Sequence, residues 1–127
     1  MDVKLAYLHR VLNEENYMEQ LEGFIAKGEE NKVCRLIRSL YGLKQAGRVW
    51  NRTFAHTIKK KLGFNTIHSH AGVYVLNHHH KRGDLRADMI LILYVDDLLL
   101  LGEDLSKIED VKRQLGKLYQ MKDLGPA

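Results

Sequence analysis

Ile90-Leu91-Ile92-Leu93-Tyr94-Val95-Asp96-Asp97-Leu98-Leu99-Leu100-Leu101 sets two adjacent carboxylates between two apolar runs. Runs this short and this apolar read as buried strands, Met89 to Val95 and Leu98 to Leu101, reversing through a turn at Asp96-Asp97. Burying both strands fixes that turn rigidly. Two readings of the aspartates are open at this point. Asp side chains bond to turn backbone, so an ordinary hairpin turn accounts for them. Tight two-residue turns prefer Asn-Gly or Asp-Gly, however, and neighbouring anions repel unless a cation relieves them, which points to metal ligation.

Upstream of this hairpin, Val73-Tyr74-Val75-Leu76 reads as a further strand. The polar stretch 77–84, with His78-His79-His80 and Gly83, reads as its turn; consecutive histidines there do not share one face, so no metal site is expected. Trp50, Phe54, Ile58 and Leu62 recur every four residues, with Lys59, Lys60 and Lys61 near the end and Gly63 beyond it. That spacing predicts an amphipathic helix with cations at its negative end and a glycine stop, and it makes Trp50 a core residue. Lys32 to Leu36 alternates polar and apolar, predicting a half-buried strand with Cys34 as a small core residue.

Residues 13–28 read as an ordered loop with room for a short strand, anchored by Tyr17, Met18, Leu21 and Phe24, and Val3 to Leu8 as an apolar-alternating strand segment. A second helix is expected from Ser106, with Glu109 in capping-box spacing, to about Tyr119; it would bury Ile108, Val111, Leu115 and Leu118. The tail 121–127 shows no element. The pattern is one α+β domain, an antiparallel sheet with two helices on one face.

With 127 residues the chain makes one domain and excludes a large multidomain enzyme. Its 45% hydrophobic content excludes a disordered tail. Twenty basic against sixteen acidic side chains leave +4, which suits a polyanionic partner without requiring one. One cysteine, Cys34, permits no internal disulfide and fits a reducing, intracellular setting. The apolar runs are too short to span a bilayer, so no membrane is implied.

A hard cation such as Mg²⁺ takes oxygen ligands, one or two carboxylates with substrate phosphates completing the set, and Asp2 is a possible third carboxylate beside Asp96 and Asp97. Two such ions suit an in-line displacement releasing pyrophosphate, the chemistry of nucleotidyl transfer.

Five ordered blocks go further: Met1-Asp2-Val3-Lys4-Leu5-Ala6-Tyr7-Leu8, Tyr17-Met18-Glu19-Gln20-Leu21-Glu22-Gly23-Phe24, Leu40-Tyr41-Gly42-Leu43-Lys44-Gln45-Ala46-Gly47-Arg48-Val49-Trp50, Tyr94-Val95-Asp96-Asp97 and Met121-Lys122-Asp123-Leu124-Gly125. In this order and spacing the chain resembles the reverse transcriptase of copia-type LTR retrotransposons, over essentially its whole length. The resemblance implies a right-hand polymerase palm and RNA-directed DNA polymerization. Asp2, Asp96 and Asp97 would be catalytic and hold two Mg²⁺ ions, for which Mn²⁺ substitutes, with the Val3 carbonyl as a further ligand.

By the same resemblance Tyr7 falls where an aromatic residue blocks a ribonucleotide 2′-hydroxyl, although a core aromatic explains it equally. Tyr41 and Gly42 match the segment against the incoming nucleotide and template base. Lys44, Gln45 and Arg48 would face template or phosphate, or form a solvated helix start. Tyr94 would touch the primer end. Lys122 lies in the block supplying a candidate general acid to pyrophosphate, where a plain surface lysine is the alternative. Implied partners are an RNA or DNA template-primer, dNTPs and the rest of a Pol polyprotein, in the cytoplasm within a virus-like particle of the parent element.

The chain departs from the family pattern at Leu5, Arg10, Leu21, Gly47, His70 and Gly72. The resemblance makes residues 1–127 a partial domain truncated at both ends, palm without fingers, thumb or RNase H, and so expected to be inactive by itself. A non-catalytic palm module that binds nucleic acid or a protein partner is the alternative.

Overall fold

The computed structural model describes residues 1–9, 11–67, 69–77 and 87–127, and for Asn13 the backbone alone. Arg10 and the histidine turn with Gly83 lie outside the described residues. In chain order the elements are β1 (Asp2–Val3), a 3₁₀ helix (Ala6–His9), β2 (Val11–Met18), β3 (Cys34–Arg38), α1 (Ala46–Leu62), β4 (Asn65–Ile67), β5 (His70–Leu76), β6 (Met89–Tyr94), β7 (Asp97–Gly102), α2 (Leu105–Leu118) and β8 (Met121–Lys122). Six strands form one sheet in the order β4-β5-β6-β7-β1-β8, and every neighbouring pair is antiparallel. The α+β class with an antiparallel sheet and two helices is what the sequence pattern predicts.

Period-2 alternation sets the layers. Tyr74 and Leu76 of β5, Met89, Leu91 and Leu93 of β6 and Leu98 of β7 are buried, and the register Tyr74↔Leu91, Leu76↔Met89 and Leu93↔Leu98 puts them on one face. Against it pack Trp50, Phe54 and Ile58 of α1 and Val111 and Leu115 of α2, in one core with Phe64 and Tyr119. The four-residue stripe of α1 is therefore core, and Gly63 ends the helix in the left-handed region at φ 76°. On the opposite face Leu99 and Leu101 stay 40% and 45% exposed.

Four local expectations need correction. The cap of α2 is Asp104, not Ser106: its carboxylate accepts from the Ser106 and Lys107 N–H groups, so the helix starts at Leu105, while Glu109 pairs with Lys112 instead of reaching back. Val3 to Leu8 is not one strand, because the chain leaves β1 through Leu5 at φ 55° and winds into the 3₁₀ helix. Residues 13–18 fall in β2, the short strand that segment had room for, whereas β3 begins two residues later than the alternation suggests. Among the described residues these two strands form a separate sheet with each other, and Cys34 is exposed there, as are Tyr17, Leu21 and Phe24.

Gly72 sits where the backbone of β5 approaches that of β6 closely. A Cβ there would lie 2.6 Å from the Leu93 carbonyl oxygen, too close for any side chain without a backbone shift. The tail is also ordered by contacts: Lys112 Nζ lies 3.1 Å from the Asp123 carboxylate, and the Gly125 N–H donates to Asp123 Oδ1 at 3.0 Å. Those groups, the Gly125 N–H first, hold the Asp123 carboxyl below its ordinary range.

Tyr74 is fully buried and its hydroxyl donates to the Ala71 carbonyl at 3.3 Å, and burial pushes its phenol up to about 12. A raised phenol pKa favours the protonated folded state. The contribution is whole below pH 10 and is lost as pH rises from 10 through about 12, at most about 2 to 3 kcal/mol. Urea unfolding of the chain and of Tyr74→Phe between pH 8 and 12 checks this. The wild type should lose stability relative to Tyr74→Phe only above pH 10, and parallel curves would refute it.

Candidate functional site

Four strands deliver four of the sequence-predicted residues into a single row. Tyr94 of β6 pairs with Asp97 of β7, Asp97 with Asp2 of β1, and Asp2 with Lys122 of β8. Directly opposed residues point to the same side, so the row lies on the face away from the helices. Tyr94 is 76% exposed and Lys122 is exposed. Strand β8 was invisible to periodicity because it is two residues long, yet it is what sets Lys122 beside Asp2.

The turn is Val95-Asp96, one residue earlier than the sequence suggests, because the register makes Asp97 the first residue of β7. Val95 carries φ 57° while Asp96 is not at positive φ, the sign pattern of a type II′ turn, whose first position favours glycine. A β-branched residue in that position is strained. The turn is held from three sides. The Val3 N–H donates to the Asp96 carbonyl at 2.8 Å, the Tyr41 hydroxyl donates to Asp96 Oδ2 at 3.2 Å, and the Trp50 indole N–H donates to the Val95 carbonyl at 2.6 Å.

The Tyr7 and Tyr41 rings meet at a tilt of 47° with centroids 4.4 Å apart, bringing both beside Asp96. Tyr7 comes from the 3₁₀ helix and is half-buried, so neither a core strand position nor full exposure describes it. Partial desolvation, then the hydrogen bond to Asp96 and the charges of Asp96 and Asp2, push the Tyr41 phenol above its ordinary range. It therefore remains a donor at neutral pH. Gly42 follows at φ 96°, a left-handed conformation that favours glycine. Gln45 precedes α1 without a side-chain cap and reaches Asn16 of β2 at 3.5 Å; Lys44 and Arg48 are exposed.

Sequence reasoning missed one participant. Trp50 is core, as its stripe predicts, but its N–H is also committed to the turn 45 residues away. The signal available was that a buried indole N–H needs an acceptor, and the stripe does not supply one.

Oxygen donors suit Mg²⁺ or Mn²⁺, and the facing pair Asp2 and Asp97 with Asp96 adjacent meets the one or two carboxylates that a phosphate-shared ion needs. Among the described residues, no group of three His, Cys, Asp or Glu side chains converges to hold a metal ion. An ion shared by these carboxylates would need further oxygens from a substrate to complete its shell. A cleft of about 620 Å³ between β2 and α1, lined by Gln45, Arg48, Arg52 and His56 and by Glu14, lies along the helix side turned from the core stripe and is separate from the carboxylate row. No helix among the described residues is long and apolar enough to cross a membrane.

The chain matches, over residues 1–127, the family described as reverse transcriptase (RNA-dependent DNA polymerase). It is 46% identical to the retrovirus-related Pol polyprotein from transposon TNT 1-94 of Nicotiana tabacum over 127 residues, which is 100% of this chain and 9% of that protein. It is 36% identical to a transposon Ty5-1 protein of Saccharomyces cerevisiae over 98% of this chain and 38% of that protein. Against the retrovirus-related Pol polyprotein from transposon RE1 of Arabidopsis thaliana the identity is 36%, over 97% of this chain and 8% of that protein. The chain thus spans less than a tenth of these Pol polyproteins. No solved structure matches it significantly.

The strain at Val95 is measurable. Val95→Gly removes the Cβ from a left-handed position and should raise stability by up to about 1 kcal/mol, a few degrees in melting temperature. A lower melting temperature would show that Val95 packing outweighs its backbone cost.

Proposed function

Because this chain belongs to the reverse transcriptase (RNA-dependent DNA polymerase) family, we propose that it forms the palm segment of a copia-type polymerase and carries its nucleotidyl-transfer centre. The observation that supports this most is the register that sets Asp97 opposite Asp2 at the mouth of a strained turn bearing Asp96. Asp2, Asp96 and Asp97 would hold two divalent cations, Mg²⁺ or Mn²⁺, with the Val3 carbonyl as an added ligand. When bound, the cations offset the charge that develops on the attacking and leaving oxygens.

The remaining roles belong to the chain's own groups. Tyr94, exposed at the end of the row, supports the primer terminus, whose 3′-hydroxyl is the nucleophile. Tyr41 and Gly42 lie against the nucleotide and its template base. The Tyr41 hydroxyl, a donor to Asp96, keeps that carboxylate aimed. Tyr7, packed against Tyr41, closes the space a 2′-hydroxyl would need and so selects deoxynucleotides. Lys122, across from Asp2, gives its proton to the departing pyrophosphate. Lys44, Gln45 and Arg48 engage template phosphates at the start of α1. The partners are a template-primer, dNTPs and the rest of a Pol polyprotein, and the setting is the cytoplasm.

Since the chain spans 9% of the tobacco relative, these 127 residues alone should extend a primer little or not at all. One observation favours the second reading, a palm module that binds nucleic acid without chemistry: three carboxylates do not converge among the described residues.

One set of measurements separates the two. Mn²⁺ binding, with and without dNTP, and salt-dependent template-primer binding are followed for the wild type and for Asp96→Asn and Asp97→Asn. Catalytic ancestry in the site predicts Mn²⁺ uptake tightened by dNTP and weakened at least about tenfold by either substitution, roughly 1.4 kcal/mol. Template-primer binding that ignores both divalent cations and the substitutions, with no Mn²⁺ uptake, would replace this reading with the second. Extension gels with Mg²⁺ and Mn²⁺ check the inactivity directly, and cation-dependent product abolished by Asp96→Asn would refute it.

A further inference from the structure

Asp96 lies between two peptide planes, and each is pinned by one hydrogen bond from a distant part of the chain. A peptide unit is planar, so fixing its carbonyl oxygen fixes its rotation. The Val95 carbonyl belongs to the plane before Asp96 and accepts from Trp50 Nε1 at 2.6 Å. The Asp96 carbonyl belongs to the plane after it and accepts from the Val3 N–H at 2.8 Å. With both planes fixed, the direction of the Asp96 side chain and the entry of Asp97 into β7 are fixed too.

We propose that Trp50 is a positioning residue of the nucleotidyl-transfer centre: its indole N–H holds the strained Val95–Asp96 peptide so that Asp96 and Asp97 face a common ion. This rests on the reading of those aspartates as metal ligands. Val95 at φ 57° occupies a position that glycine fills more readily, so the turn needs an outside restraint to keep this form. Its first carbonyl lies outside the two-strand ladder and requires an acceptor's partner of its own. Trp50 is suited to the task because it cannot itself move. It is 2% exposed, with the Phe54 ring centroid 5.4 Å away on one side and the Tyr119 ring edge-on at 5.4 Å on another. The core under the sheet is thus connected by one hydrogen bond to the turn of the hairpin.

The chain contains a single Trp, so ¹⁵N-indole labelling gives one resonance to report on the contact. Mn²⁺ affinity is measured for the wild type, for Trp50→Phe and for Trp50→benzothienylalanine, which keeps the bicyclic shape and puts sulfur in place of N–H. Thermal melting is recorded for each, and Asp96→Asn/Asp97→Asn is the reference. The expected result is paramagnetic broadening of the wild-type indole signal by Mn²⁺, absent in the double Asn variant. Affinity should fall about tenfold or more in the benzothienyl variant while its melting temperature stays within about 3 °C. The benzothienyl variant keeps the test valid if Trp50→Phe does not fold. Undiminished Mn²⁺ binding by the benzothienyl variant, alongside loss in the double Asn variant, overturns the positioning role and leaves the metal reading intact. Absence of Mn²⁺ binding by the wild type, or binding that survives the double Asn substitution, overturns the metal reading and the positioning role with it.

Discussion

Pairing Tyr94 directly with Asp97 leaves two residues to reverse the chain, and the site depends on that constraint. A two-residue reversal imposes a left-handed conformation on Val95, throws its carbonyl outward to Trp50 and makes Asp97 the first rung of β7. From that rung the ladder continues through Asp2 to Lys122. A slip of one residue in β7 would turn Asp97 toward the helices and present Leu98 to solvent. The burial of Leu91, Leu93 and Leu98 against α1 and α2 forbids that slip, so the core underneath dictates which carboxylates appear above.

Most of the scaffold was legible in the residues, for particular reasons. The four-residue stripe Trp50, Phe54, Ile58 and Leu62 and the apolar runs on either side of Asp96-Asp97 carry strong periods, and both elements are present. What stayed hidden has no period to read. Two-residue strands such as β1 and β8 exist only because longer neighbours offer them a ladder. The α2 cap went to Asp104, one turn chemistry competing with another of equal plausibility. Cys34 and Phe24 look like core residues by type, but both are exposed. At the site, the identities of Asp2, Asp96, Asp97, Tyr41 and Lys122 came from ordered motifs. Their mutual arrangement, with Trp50 underneath, is a tertiary fact that no local pattern encodes.

The two faces of the sheet divide the labour. The helix-covered face supplies rigidity through closely packed rings, Trp50, Phe54, Tyr74 and Tyr119. The opposite face presents the carboxylate row at one end and the partly exposed Leu99 and Leu101 beside it.

The sheet order also decides when the site can exist. Strands β6 and β7 meet through a short reversal, whereas β1 joins β7 and β8 from opposite ends of the sequence. Contacts of such separation close late, after the local hairpins have formed. During synthesis the turn with its two aspartates is therefore made and folded while Asp2 still has neither its full set of neighbours nor Lys122 at its side. Assembly of the row therefore waits for β8, the strand that follows α2.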